Sequence, residues 1–344
     1  MFSHVWDVDR AQGMIWGAMI ADAVGAAYEH SRAPSPLALP SPLIAQSWKY
    51  HRQYAPAMIV TPAGMITDDS EMTLASLAAL EITNYADDGD FGDYHHSLEL
   101  HYVRWGMSKC PFGGRNTRKY LYGITTSQGL RARIKRFREG NEHAESNGFL
   151  MRASPFALLE PACDDASIYS AEITGNYNAN CARMFREYVG ALRGCLARPV
   201  GDPHVDPADF HPRATSAQVA ARDTKGWGEC AILCCRDYFE WVRMHAGSPD
   251  DTYMTAIRTT IARGGDTDTN GCIVGALAGA RFGLERMLAQ SREVAENIAL
   301  IRACHPVRMY DTVPPSIADP ARPREYWASR ADELIARIAG MRGD

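Results

Sequence analysis

The chain has 344 residues, 46% of them apolar and 22% charged, with 36 Lys and Arg against 41 Asp and Glu for a net charge of −5. This composition describes a globular protein with ample length to bury a core, and it excludes disorder as the main character. The mildly acidic balance carries no electrostatic footprint for duplex nucleic acid or for an anionic membrane surface.

The opening residues, MFSHVWDVDRAQ, lack a basic stretch followed by an apolar one, and no run of about 18 apolar residues occurs. Neither secretion by a standard signal nor a membrane span is therefore expected. Within this N-terminal arm, Phe2 and Trp6 look exposed and would suit a plug, but a plain packed arm is the favoured reading. From Val8 to Glu29 the pattern is helical, and Gly13, Gly17, Ala21 and Gly25 fall four residues apart on one face, where a second helix backbone can approach closely. Residues 31–63 contain six prolines (Pro34, Pro36, Pro40, Pro42, Pro56 and Pro62) and read as a long irregular excursion. Helical periodicity returns at Ser70–Tyr85, Leu98–Trp105, Ala179–Leu196, Glu229–His245, Asp251–Ile261 and Arg324–Arg342. A second small-residue stripe, Gly271, Gly275, Gly279 and Gly283, predicts a partner for the first. The His204–Pro212 and Arg308–Pro323 stretches read as surface loops. With β-branched alternation scarce, the fold class is all-α, one compact multi-helix domain over residues 1–344.

Several local features have plain structural explanations. Arg131–Arg138 (RARIKRFR) is the one locally basic stretch, and it reads either as a solvated helix face or as an anion or partner contact. Trp105, Trp227 and Trp241 sit at helical spacing among aliphatic residues and read as core. His95, His96 and His101 show no metal-like pairing. Nine cysteines, an odd number without paired CxxC or Cys/His spacing, indicate neither a disulfide framework nor structural zinc and point to a reducing cytoplasm.

Two acidic clusters carry more information. Thr67-Asp68-Asp69-Ser70 stands directly before one predicted helix, and Gly264-Gly265-Asp266-Thr267-Asp268-Thr269-Asn270 directly before another. Capping explains one carboxylate or hydroxyl at a helix start, not two acids and two hydroxyls at each. Four carboxylates gathered in one place would repel one another unless cations neutralised them. Hard oxygen donors select Mg²⁺, Mn²⁺ or Ca²⁺, and four negative charges would balance two divalent ions. Spacing alone leaves capping and a cation site both open.

Four segments together resemble the ADP-ribosylglycohydrolase family: GMIWGAMIADAVGAAYE at 13–29, ITDDSEMTLA at 66–75, SNGFLMRASP at 146–155 and ARGGDTDTNGCIVGALAGARFG at 262–283. The resemblance implies an all-α domain with two Mg²⁺ (Mn²⁺ as a substitute) held by Thr67, Asp68, Asp69, Asp266, Asp268 and Thr269. It implies that Glu29 acts in catalysis or gating, the alternative being an exposed helix end, with Asp69 or Asp268 as general acid or base. Asp22 would orient the ligands. Asn147, Gly148 and Phe149 match a turn whose amides approach a diphosphate, and Arg152 could pair with phosphate or serve a buried structural contact. The 112–117 segment, FGGRNT, is a weaker loop of the same kind. Two departures stand out: Ala21 replaces a usual glycine, and Thr174-Gly175-Asn176 stands where many members have Thr-His, so that Asn176 would substitute as a donor.

The resemblance thus implies a cytoplasmic bacterial hydrolase that removes ADP-ribose from a modified protein, with arginine the favoured acceptor. Serine-linked and O-acetyl-ADP-ribose are alternative substrates. A second class is an immunity protein that blocks an ADP-ribosyltransferase toxin by occlusion, using the N-terminal arm as a plug. Neither nucleic acid nor membrane is an expected partner.

Overall fold

The structure is a computed structural model that describes residues 6–29, 36–50, 59–81, 92–108, 110, 112–197, 206–220, 226–304 and 324–341. In chain order the elements are α1 (Val8–Gly25), β1 (Trp48–Tyr50), β2 (Ile59–Thr61), α2 (Asp68–Glu81), α3 (Gly92–Met107), α4 (Arg115–Leu121), α5 (Ser127–Arg138) and α6 (Asp164–Glu172). They continue with α7 (Ala179–Ala197), α8 (Ser216–Ala220), α9 (Gly228–His245), α10 (Tyr253–Ala262), α11 (Thr267–Phe282), α12 (Leu284–Gln290), α13 (Arg292–Ala303) and α14 (Ala331–Gly340). The fold class is all-α, as expected.

At the centre lie α1 and α11. Every residue of α11 is buried, as is α1 from Gly13 to Gly25, so neither helix has a polar face. Helices apolar all round belong in a protein interior. Their glycine stripes face each other in antiparallel order. A Cβ on Gly13 would stand 2.4 Å from the Gly279 carbonyl oxygen, one on Gly17 2.3 Å from that of Gly275, and one on Gly25 2.3 Å from that of Thr267. In the opposite direction, a Cβ on Gly279 would stand 1.9 Å from the Gly13 oxygen. The Tyr253 hydroxyl, from α10, donates to the Gly17 carbonyl at 2.6 Å and fixes the pair from the side. The surrounding helices are amphipathic: α7 buries Met184, Phe185, Tyr188 and Leu192, and α14 buries Leu334, Ile335 and Ile338.

Several expectations need correction. Within the 31–63 stretch, β1 and β2 form an antiparallel pair with Trp48 opposite Thr61, because short aromatic and β-branched runs favour extended pairing even in a proline-rich segment. Trp6 is buried, and its indole nitrogen donates to the Leu158 carbonyl at 3.1 Å. For Trp6 the favoured reading of a packed arm therefore holds and the plug does not, while Phe2 lies outside the described residues. The periodicity at 324–342 becomes helical only at Ala331; residues 324–330 form two tight turns. The Arg308–Pro323 loop lies outside the described residues. Trp105 is fully buried with its indole nitrogen 2.9 Å from Glu71 Oε2, and His101 is held by the Tyr326 hydroxyl at 3.2 Å, its pKa pushed down to about 4 by burial.

The close approach yields a stability test. Gly279→Ala is expected to cost about 3 kcal/mol or more in urea denaturation, because backbone faces backbone and cannot yield. Gly190→Ala, on α7 with nothing within 4 Å of the added carbon, is expected to stabilise by about 0.5–1 kcal/mol. Equal effects would show that the glycine contact is not what limits stability.

Candidate active site

The antiparallel glycine contact brings the last turn of α1 to the first turn of α11, where the Thr267 hydroxyl donates to the Gly25 carbonyl at 2.8 Å. Asp22 lies in that last turn of α1, fully buried. Its carboxylate accepts from the Thr67 amide at 2.9 Å, the Thr67 hydroxyl at 2.7 Å, the Ser70 amide at 3.2 Å and the Ser70 hydroxyl. The first amides of any helix lack partners within it. For α2 they are met by a carboxylate from another helix, so Asp22 locks the Thr67–Ser70 turn onto α1.

The second acidic segment is shaped by glycine. Gly264 and Gly265 both have φ of +75°, and a Cβ on Gly265 would stand 2.0 Å from the Val219 carbonyl oxygen. This turn delivers Asp266 to the N-cap position of α11, where Oδ2 accepts from Asn147 Nδ2 at 2.7 Å. Asp268 Oδ1 accepts from the Thr269 amide at 2.9 Å.

The two segments meet. One carboxylate oxygen from each of Asp22, Asp69 and Asp268 lies within 4.8 Å of the others, and a second such group joins Glu29, Asp266 and Asp268. Asp268 belongs to both. Burial, reinforced by neighbouring carboxylates, raises Asp68 to about 7 and holds Asp69 and Asp268 well above the usual range. Burial likewise raises Asp22 to about 6, against the pull of its four hydrogen bonds. The Thr67 hydroxyl lies 2.8 Å from Asp69 Oδ2 and 2.7 Å from Asp22 Oδ1, and its single proton serves one of them. Asp69 Oδ1 is buried with no hydrogen-bond partner. A buried carboxylate oxygen without a donor is costly. An all-oxygen donor set with such an orphan suits a hard divalent cation.

Asp68, Asp69, Asp266 and Asp268 floor a cavity of about 620 Å³. Of the residues singled out from sequence, Glu29, Thr67, Asp68, Asp69, Asn147, Gly148, Asp266, Asp268 and Thr269 line it, as does most of 112–117. Glu29 reaches it from a turn after α1, which ends at Gly25. Two expected substrate contacts do not reach the cavity. Phe149 is fully buried, because the 147–149 turn rotates it into the core. Asn176 is buried behind the wall and donates to the carbonyls of Ser146 and Ala144. Asn147 also departs from expectation: its amide donates to the Gly226 carbonyl at 2.8 Å and its side chain braces Asp266. Arg152 serves the structural alternative, fully buried and donating to the Gly148 and Ser170 carbonyls and the Thr174 hydroxyl.

Sequence reasoning did not find Trp48 or Gly226 as lining residues, and it reached Phe112 only as part of the 112–117 loop. Trp48 and Phe112 pack with ring centroids 5.2 Å apart, and their contact joins β1 to the loop before α4. Only the FGGRNT loop left a signal; nothing in the pattern around Trp48 distinguished it.

Residues 6–308 match the ADP-ribosylglycohydrolase family. The chain belongs to that family. As an ADP-ribosylglycohydrolase it is a glycosidic-bond hydrolase that releases ADP-ribose. It is 28% identical over 298 residues to the ADP-ribosyl-[dinitrogen reductase] glycohydrolase of Rhodospirillum rubrum, covering 80% of this chain and 87% of that relative. Among solved structures, a chain of an "ADP-ribosylglycohydrolase-related protein complex" superposes with a TM-score of 0.58 at 19% identity, covering 97% of this chain and 98% of the other. That likeness concerns the fold. Among the described residues, no helix of this glycohydrolase is long and apolar enough to cross a membrane.

The raised carboxyls fix the sign of a pH effect. Because Asp68 titrates at about 7 in the folded chain against an ordinary 3.8, the folded state holds more protons across that window. The cation-free glycohydrolase is therefore expected to lose stability as pH rises through it. Added Mg²⁺ or Mn²⁺ should raise the melting temperature more at about pH 8 than at about pH 5. An equal rise at both would place the binding away from these acids.

Proposed function

We propose that this glycohydrolase removes ADP-ribose from modified arginine side chains of proteins, with two Mg²⁺ held by Thr67, Asp68, Asp69, Asp266, Asp268 and Thr269. The observation that carries the reading is the pair of carboxylate groups that share Asp268, together with the partnerless oxygen of Asp69. Two clusters with one common acid match two divalent charges, and Mn²⁺ fits the same donors. The name of the Rhodospirillum rubrum relative supports a protein as the bearer of ADP-ribose.

Bound there, the two cations would neutralise the acids, orient ribose hydroxyls and make a water more acidic. The remaining chemistry belongs to the side chains. Asp69 takes a proton from the water that attacks the anomeric carbon of the ribose, and Asp268 holds that water and the sugar in line. As the bond between the anomeric carbon and the guanidine nitrogen breaks, the nitrogen needs one proton. Glu29, half-buried and close to Asp266 and Asp268, delivers it, so that guanidinium departs. Arginine suits this site because its leaving group, once protonated, is a delocalised cation that the carboxylate left on Glu29 can pair with. Gly148 lies in the cavity wall beside Asn147, where an ADP-ribose backbone can pass without meeting a side chain.

The test compares ADP-ribose release from arginine-linked protein, serine-linked protein and O-acetyl-ADP-ribose, with Mg²⁺ and with a chelator. Arginine-linked substrate is expected to turn over fastest and only with the cation. Asp69→Asn and Asp268→Asn should each lower kcat about a thousandfold, and Glu29→Gln about a hundredfold. Faster release from serine or O-acetyl-ADP-ribose would overturn the arginine assignment, and turnover in chelator would overturn the cation site. Asn147→Ala, which frees Asp266 from its brace, is expected to weaken Mn²⁺ binding about ten- to a hundredfold by calorimetry.

A further inference from the structure

Most arginines whose side-chain contacts are described reach a carboxylate: Arg183, Arg193, Arg263 and Arg281 each do so at 2.5–2.7 Å. The surface formed by α4 and α5 is different. Three cationic residues stand on α4 (Arg115, Arg118 and Lys119) and five on α5, with no acid on either helix. Of these eight, Arg131 alone has a described carboxylate partner, Glu99 of α3 at 2.7 Å. Arg133 is a strap between the helices, donating to the Tyr122 carbonyl at 2.6 Å.

Lys119, Arg136 and Arg138 gather on one exposed surface. Lys119 Nζ lies 4.5 Å above the Phe137 ring, and the Arg136 guanidinium lies 5.4 Å from the same ring. Arg138 lies 5.2 Å from the Tyr177 ring, and the Tyr177 hydroxyl meets that of Tyr120 at 3.3 Å. Lys119, Lys135, Arg136 and Arg138 are all exposed. The track begins in the cavity, whose wall includes Arg115, and Lys119 follows one helical turn along α4. Helix dipoles favour cations at the C-terminal end, which accounts for Lys135, Arg136 and Arg138. They do not account for Arg115, the first residue of α4, where the dipole opposes a cation. Crowded like charges cost stability in a chain of net charge −5, and their continuity with the cavity mouth gives that cost a purpose.

We propose that the α4–α5 surface is the docking face for the protein that carries ADP-ribose, and that it selects an acidic patch beside the modified side chain. This rests on the reading that the substrate is protein-linked. A local acidic patch is favoured over a nucleic acid because the cations occupy one side of the cavity in an otherwise acidic chain.

The experiment uses two ADP-ribosylated peptides of equal length, with the arginine flanked by Asp and Glu in one and by Ser and Gln in the other, alongside free ADP-ribosyl-arginine. Wild-type enzyme is expected to favour the acidic peptide about tenfold in kcat/KM at low salt, and the preference should fade at about 0.5 M salt. The triple variant Lys119→Glu, Lys135→Glu, Arg136→Glu should lose the preference through KM while hydrolysing ADP-ribosyl-arginine within about twofold of wild type. The matching triple Gln variant should fall between, with a melting temperature no lower than wild type. No preference in wild type, or an undiminished one in the Glu variant, overturns the proposal. Retention on double-stranded DNA at the same salt, without a preference between peptides, overturns it in favour of nucleic acid. Should no arginine substrate turn over, the substrate reading fails by itself, and the same peptide pair linked through serine decides the docking face.

Discussion

The contact between α1 and α11 is backbone against backbone, and the geometry of the site depends on it. Glycine within a helix costs roughly 0.5–1 kcal/mol relative to alanine. Gly13, Gly17, Gly25, Gly271, Gly275 and Gly279 all lie within these two helices, so close approach is obtained against intrinsic propensity. What it secures is placement. With little more than the Ala21 methyl between the axes, the last turn of α1 and the first turn of α11 meet at a separation that carboxylates can bridge. A single Cβ at Gly25 would fall 2.3 Å from the Thr267 carbonyl oxygen, immediately beside Asp266 and Asp268.

A second consequence is electrostatic. Burying several carboxylates together opposes folding, and the molecule meets the difficulty unevenly. Asp22 is supplied with four donors from the start of α2 and acts as a rivet between helices. Asp266 is braced by Asn147, and Asp69 is left with one bare oxygen. The acids best satisfied by protein hold the frame, and the least satisfied one faces the cavity. The buried Arg152, fixed to carbonyls and to the Thr174 hydroxyl, stiffens the wall behind Gly148 without touching the cavity. Outside the mouth the sign of the charge reverses along α4 and α5, so the anionic floor and the cationic rim address different parts of a substrate.

Much of this was legible in the chain because it rests on local patterns. Glycines at four-residue spacing have one economical use in a buried helix, and both stripes meet as that use requires. Two helix starts, each overloaded with acids and hydroxyls, signalled a shared site, and the acids do converge. Where the reading went astray, the cause was tertiary. Phe149 follows Asn147 and Gly148 in sequence, yet a tight turn sends its ring into the core while its neighbours face the cavity. Asn176 has the chemistry of a ligand donor but is enclosed behind Ser146.

By itself the sequence determined the all-α class, the central pair of helices and the acidic residues at their ends, since periodicity and helix-start chemistry act over a few residues. The tertiary structure alone decided that Asp268 would stand in both carboxylate groups and that Asp22 would cap a helix 45 residues away. It also decided that Trp48 and Phe112 would share a wall and that α4 and α5 would pool their cations beside the cavity. Those outcomes depend on distances between segments remote in sequence, and such distances are set by packing, which no local pattern encodes.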